Sequence, residues 1–118
     1  VSLLLPDATV MVGGGGAPGP ERNLNVELYY PPYLFTADGQ FAPRPAIGTA
    51  PTVLDVGRTF EVELTAGIAQ RVVLVKAGSV THGWNMEQRF VELAFGADGN
   101  QLSVQTPAHA AEAPPGCA

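Results

Sequence analysis

Residues Thr59 to Leu64 read TFEVEL, and this strict alternation of apolar and charged side chains decides how the rest of the chain is read. Successive side chains of a strand point to opposite faces, so Phe60, Val62 and Leu64 are expected to face a core while Glu61 and Glu63 face water. The pattern returns downstream. Val91, Leu93 and Phe95 alternate, Asp98-Gly99-Asn100 supplies a hairpin turn, and Leu102 and Val104 resume the inward positions. Between these stretches Val72-Val73-Leu74-Val75 is apolar throughout, as expected of a strand covered on both faces.

Working upstream, Ser2 to Leu5 and Val10 to Val12 are short apolar runs joined by Pro6-Asp7-Ala8-Thr9, a turn-forming insert that predicts a hairpin. Ala8 stands where such a turn favours glycine, and a positive φ there carries a strain of about 1 kcal/mol. Gly13 to Gly16 closes the second run, and a third strand through Leu28 is broken by Pro31-Pro32, which cannot donate to a ladder. Gln40 to Pro51, QFAPRPAIGTAP, has the composition of a linker. A boundary near Ala42 divides the chain into residues 1–41 and 42–118. Helix signals are nearly absent among 14 Gly and 11 Pro, and short strands at this spacing suggest an immunoglobulin-like sandwich for the second part.

Bulk properties narrow the function. A chain of 118 residues with 46% hydrophobic and 14% charged residues is a packed globular chain. Six Lys and Arg against eleven Asp and Glu give a net charge of −5, with no basic cluster to track phosphates, so neither nucleic acid nor an anionic membrane is an expected partner. No apolar run approaches the roughly twenty residues of a spanning helix, and the first residues lack the charged leader of a signal peptide. The single Cys117 closes no internal disulfide, and both ends read as if cut from something longer.

Most familiar site chemistries find no support. The glycine run Gly13 to Gly16 is followed by Pro18 and Pro20 rather than by Gly-Lys-Ser/Thr, which argues against a phosphate loop. Ser2, Ser79 and Ser103 lack a nucleophile elbow, and no carboxylate pair stands out for acid–base work. His82 and His109 are the only histidines and with one Cys complete no zinc set. Tyr29, Tyr30, Tyr33 and Phe35 cluster around Pro31-Pro32 and are expected to pack a strand exit against a neighbouring domain, with sugar binding as the alternative. Trp84 is expected to cover the end of a sandwich.

Three segments together resemble one family. SLLLPDATVMVGGGG, from Ser2, resembles the last kelch-type blade of the galactose oxidase and glyoxal oxidase family, and NVELYYPPYLF with Arg44-Pro45 resembles that family's passage from propeller to C-terminal domain. GSVTHGWNMEQRFVEL, from Gly78, is similar to the Thr-His-x-x-Asn-x-Asp/Glu-Gln-Arg segment of the family's early-set, immunoglobulin-like domain. The implied fold class is all-β: a kelch-like blade remnant over residues 1–41, then an early-set β-sandwich over 42–118 that is incomplete at its C-terminus.

The resemblance implies a copper radical oxidase, which oxidises a primary alcohol or aldehyde and reduces dioxygen to hydrogen peroxide. Its copper is held by two tyrosines and two histidines, one tyrosine being cross-linked to a cysteine. His82 matches the histidine contributed by the C-terminal domain, and imidazole is a good copper ligand. Thr81, Asn85 and Gln88 are expected to shape its loop, and Arg89 to tie that loop to the sheet. The family's Tyr-His ligand pair stands immediately before the hairpin that begins at Ser2, so it falls upstream of Val1. The radical tyrosine and its cysteine belong to earlier blades, and Cys117 matches neither. The chain alone is therefore expected to be inactive. Its partners are the missing propeller and a small alcohol, aldehyde or carbohydrate substrate, and self-association through an exposed sheet edge is expected. Extracellular or cell-surface placement follows from the resemblance. The competing reading is an accessory β-sandwich for glycan or protein interaction, without metal chemistry.

Overall fold

A computed structural model describes residues 1–15 and 19–115. Cys117 and the last glycine of the run, Gly16, lie outside the described residues. The described residues form two compact units: those of Val1–Ala42 with Lys76–Gln88, and those of Pro43–Val75 with Arg89–Ala118.

The first unit contains a three-stranded antiparallel sheet of β1 (Ser2–Leu4), β2 (Val10–Gly13) and β3 (Val26–Tyr29), in that order. The expected β1–β2 hairpin is present, with Ser2 opposite Val12 and Leu4 opposite Val10. Its turn is locked by Asp7, whose carboxylate accepts from both the backbone N–H and the hydroxyl of the buried Thr9. Ala8 does take a positive φ of 69°, the strained conformation anticipated from its place after Pro-Asp. After β3 the chain is stopped by Pro31-Pro32, and Pro32–Leu34 makes one 3₁₀ turn that buries Leu34. Phe35 stacks on Phe41 with ring centroids 5.0 Å apart, and Tyr30 meets Phe41 at 6.1 Å. Phe41 therefore belongs to the aromatic cluster, a member that the sequence reading missed because it lies across a turn.

The second unit is the sandwich. One sheet has the order β10 (Phe95–Asp98), β11 (Gln101–Gln105), β5 (Thr59–Ala66), β4 (Ala46–Thr49); the other pairs β6 (Val72–Lys76) with β9 (Arg89–Leu93). Val62 and Leu64 of β5 and Leu102 and Val104 of β11 are buried with Leu74 of β6 and Leu93 of β9. Glu61 and Glu63 are exposed, as the alternation requires. Opposite Leu102 sits Val62 and opposite Val104 sits Phe60, so paired positions bury the same face and each fully buried aliphatic side chain adds about 1.5–3 kcal/mol.

Two local expectations change. Residues 46–49, read as linker, form the edge strand β4, whose pairing with β5 is irregular on either side of Ile47. Gly48 is needed there because a Cβ would press on the Thr65 methyl group at 2.5 Å, and this Gly inside a Pro/Ala-rich stretch is what disguised the strand. Within β6 only Leu74 is buried, the other residues being half-buried. The apolar run is thus covered less completely than a strand buried on both faces, and β6 and β9 pair only with each other among the described residues. The remaining strands, β7 (Ser79–Thr81) and β8 (Trp84–Met86), form a hairpin within the first unit.

Candidate functional site

The segment from Lys76 to Gln88 leaves the end of β6 and returns at the start of β9, and its sequence is built for a tight excursion. Ser79 pairs with Met86, Val80 with Asn85 and Thr81 with Trp84, which leaves His82-Gly83 as a two-residue turn. His82 holds φ 53°, in the left-handed region where histidine is one of the few side chains enriched. Gly78 permits the stem to close, because a Cβ there would collide with the Asn85 side-chain oxygen. Gln88 donates from its amide to the Asn85 carbonyl oxygen at 3.3 Å. At the base, the Lys76 ammonium lies 3.5 Å from the Glu87 carboxylate, and Glu87 also carries a positive φ of 64°.

The imidazole of His82 is exposed, and its Nδ1 is hydrogen-bonded to the Thr81 hydroxyl oxygen at 2.9 Å. Its other nitrogen has no hydrogen-bond partner in the described structure. His82 lines a cavity of about 330 Å³ together with Val1, Ser2, Val12, Val80, Gly83, Trp84 and Asn85. The cavity thus joins the tip of the β7–β8 hairpin to the open end of the β1–β2 hairpin, where Gly13 donates its N–H to the Val1 carbonyl oxygen at 3.0 Å.

The sequence-derived candidates are distributed unevenly over this site. His82, Thr81 and Asn85 are together on the hairpin, whereas His109 is exposed in a turn of the other unit, where its carbonyl oxygen accepts from the Glu112 N–H. Trp84 does not cover a sandwich end: it is 71% exposed and lines the His82 cavity. The tie at the base of the excursion is made by Lys76 and Glu87 rather than by Arg89. Sequence reading treated the segment as a loop and missed Val1, Ser2 and Val12 as neighbours of His82. The hairpin was legible in principle, since Gly follows the turn histidine much as it follows asparagine in common two-residue turns.

Among the described residues no group of three or more His, Cys, Asp or Glu is placed to hold a metal ion. One imidazole on a short hairpin can supply a single nitrogen ligand.

The family model of the galactose oxidase-like early set domain matches residues 44–118. A galactose oxidase of Gibberella zeae is 33% identical over 120 residues, which takes in 98% of this chain and 18% of that protein. An aldehyde oxidase of Arabidopsis thaliana is 28% identical over 135 residues, covering 98% of this chain and 22% of that protein. A fungal alcohol oxidase solved in complex with copper superposes with a TM-score of 0.84 at 31% identity, over 98% of this chain and 26% of its own. The chain therefore spans less than a quarter of the length of these curated relatives. Over that length the sandwich, the His82 hairpin and the preceding sheet all lie within the matched region, and the chain belongs to the galactose oxidase-like early set domain family.

Proposed function

We propose that this chain is the C-terminal part of a copper radical oxidase that oxidises a primary alcohol or an aldehyde and reduces dioxygen to hydrogen peroxide. His82 is one of its copper ligands, and the chain is inactive alone. Residues 1–41 are the end of a kelch-type propeller and residues 42–118 the early-set domain, with the His82 hairpin as an excursion from it.

One observation carries the reading: His82 lines a cavity with Val1 and Ser2, although some eighty residues separate them in sequence. With the family's Tyr-His ligand pair directly ahead of this first hairpin, its side chains would enter beside His82. Copper, if bound together with the parent's radical tyrosine, would supply the two-electron redox chemistry by which the alcohol or aldehyde is oxidised and dioxygen reduced to hydrogen peroxide. His82 presents a neutral nitrogen lone pair, and the two-residue turn fixes where that nitrogen points. Val1, Val12, Val80 and Trp84 line the cavity beside His82.

The test is made on the longer parent chain. Wild-type protein is expected to load copper and release peroxide with a primary alcohol or aldehyde, and His82→Ala to lose most of both. Full copper loading and undiminished peroxide release in the variant sink the ligand assignment.

A second reading is favoured by the exposure of Trp84: an accessory domain that stacks a sugar ring on the indole. It requires a sugar-dependent change in Trp84 fluorescence that survives His82→Ala. On the oxidase reading the substrate is a small alcohol, aldehyde or carbohydrate, and extracellular or cell-surface placement goes with it. The parent's propeller is the natural partner of the first unit, and the isolated chain pairs with a second copy along the β6 edge.

A further inference from the structure

Imidazole has two nitrogens, and a metal can take only the one whose lone pair is free. The Thr81 hydroxyl lies 2.9 Å from Nδ1 of His82, and the two residues stand at consecutive positions where β7 enters its turn. We propose that Thr81 is a positioning residue for His82: its hydroxyl oxygen accepts a hydrogen bond from Nδ1–H, which leaves Nε2 unprotonated as the metal-binding atom. This rests on the reading of His82 as a copper ligand.

The argument is one of proton accounting. Neutral imidazole carries a single N–H; a hydroxyl can give or take the proton of this hydrogen bond, and only the Nδ1–H form leaves Nε2 free to bind metal. A threonine hydroxyl has two acceptor lone pairs and one proton, so it can take up the Nδ1–H and still donate to water. Its oxygen also occupies the space in front of Nδ1, so that a metal cannot approach there without displacing it. Carbonyls and carboxylates are the usual partners of a ligating histidine, and here the neighbouring hydroxyl serves. Because His82 sits at φ 53° in a two-residue turn, its backbone is fixed with respect to Thr81, and the pair behaves as one unit.

Long-range proton–nitrogen NMR of this chain, at a pH above the ring's titration, reads the tautomer without any metal. Wild type is expected to show mainly Nδ1–H. Thr81→Val is expected to revert to mainly Nε2–H, the form free histidine prefers, and Thr81→Ser to restore Nδ1–H. Equal tautomer ratios in wild type and Thr81→Val overturn the proposal, because a purely structural role for Thr81 leaves no such signature.

Copper(II) added below stoichiometry supplies the second readout. Binding through Nε2 is expected, with affinity about tenfold weaker in Thr81→Val, the lower end of what loss of a ligand's outer partner costs. Binding through Nδ1 overturns the proposal. An Nδ1–H tautomer that depends on Thr81 in a ring that copper leaves unbroadened supports the positioning role and counts against the copper assignment instead.

Discussion

Lys76 and Glu87 face each other across the base of the excursion that carries His82, with 3.5 Å between ammonium and carboxylate. The lysine side chain is 16% exposed and the glutamate 64%, so the pair is wet on one side only. It closes off residues 77–86 where the chain turns back, and Glu87 takes a positive φ in that turn.

The first prediction concerns this clasp. Glu87→Gln removes the charge but keeps the shape, and the expected loss of global stability is below about 1 kcal/mol. Amide exchange across residues 79–86 is expected to quicken, while β5 and β11 keep their protection. Hydrogen exchange read by NMR checks this, and uniform protection in both proteins removes the clasp from the account.

A second prediction follows from the first hairpin. The Tyr33 hydroxyl donates to the Ala8 carbonyl oxygen at 2.7 Å, so a residue held at φ 69° is tied down from twenty-five positions away. Ala8→Gly is expected to relieve the strain and raise stability by up to about 1 kcal/mol. Tyr33→Phe is expected to lower it by about 0.5–1.5 kcal/mol, the net worth of one hydrogen bond. Urea unfolding of both variants gives the signs, and a stabilised Tyr33→Phe rejects the brace.

What the sequence disclosed and what it hid have physical causes. TFEVEL was decisive because a half-buried strand writes its two faces directly into alternate residues, and Phe60, Val62 and Leu64 do turn inward. β4 was hidden because Gly48 stands in it for close approach to Thr65 and contributes no β-forming side chain. His82 was singled out through its spacing from Gln88 and Arg89 in the family's motif. Its neighbours Val1, Ser2 and Val12 were not found, since a cavity between two hairpins far apart in sequence leaves no periodic trace. Thr81 was visible as a residue next to His82, but its contact with Nδ1 depends on a backbone conformation that only the folded hairpin defines.

The third prediction concerns the β6–β9 pair. β6 and β9 pair only with each other among the described residues, and an apolar groove of about 490 Å³ lies beside them, lined among others by Ile47, Phe60, Val62, Val72, Leu74 and Leu93. An unpaired strand edge next to apolar surface is a template for another strand. Sedimentation at micromolar concentration is expected to show concentration-dependent self-association, weakened by a Val73→Lys substitution in β6. A monomer at all concentrations counts against pairing along this edge.

The last prediction is a pH dependence in the sandwich. Arg71 donates from Nε and Nη2 to the two carboxylate oxygens of Glu92, at 3.2 and 3.0 Å, while its guanidinium lies 5.7 Å from the centre of the Phe90 ring. The hydrogen bonds from Arg71, and secondarily its charge, hold the Glu92 carboxyl below the ordinary glutamate value. A carboxyl whose folded value is depressed contributes its stability above the unfolded value and loses it as pH falls through the folded one. The window therefore lies on the acid side of the ordinary carboxylate range. Asp38 moves in the same direction, chiefly through its hydrogen bond from the Thr36 hydroxyl. Because Arg71 and Glu92 are both more than half exposed, added salt is expected to shrink the Glu92 effect. Carbon-detected NMR titration of the Glu92 carboxyl checks the shift, and Arg71→Gln is expected to return it to the ordinary range. A Glu92 that titrates identically in both proteins shows that the ion pair is not held in solution.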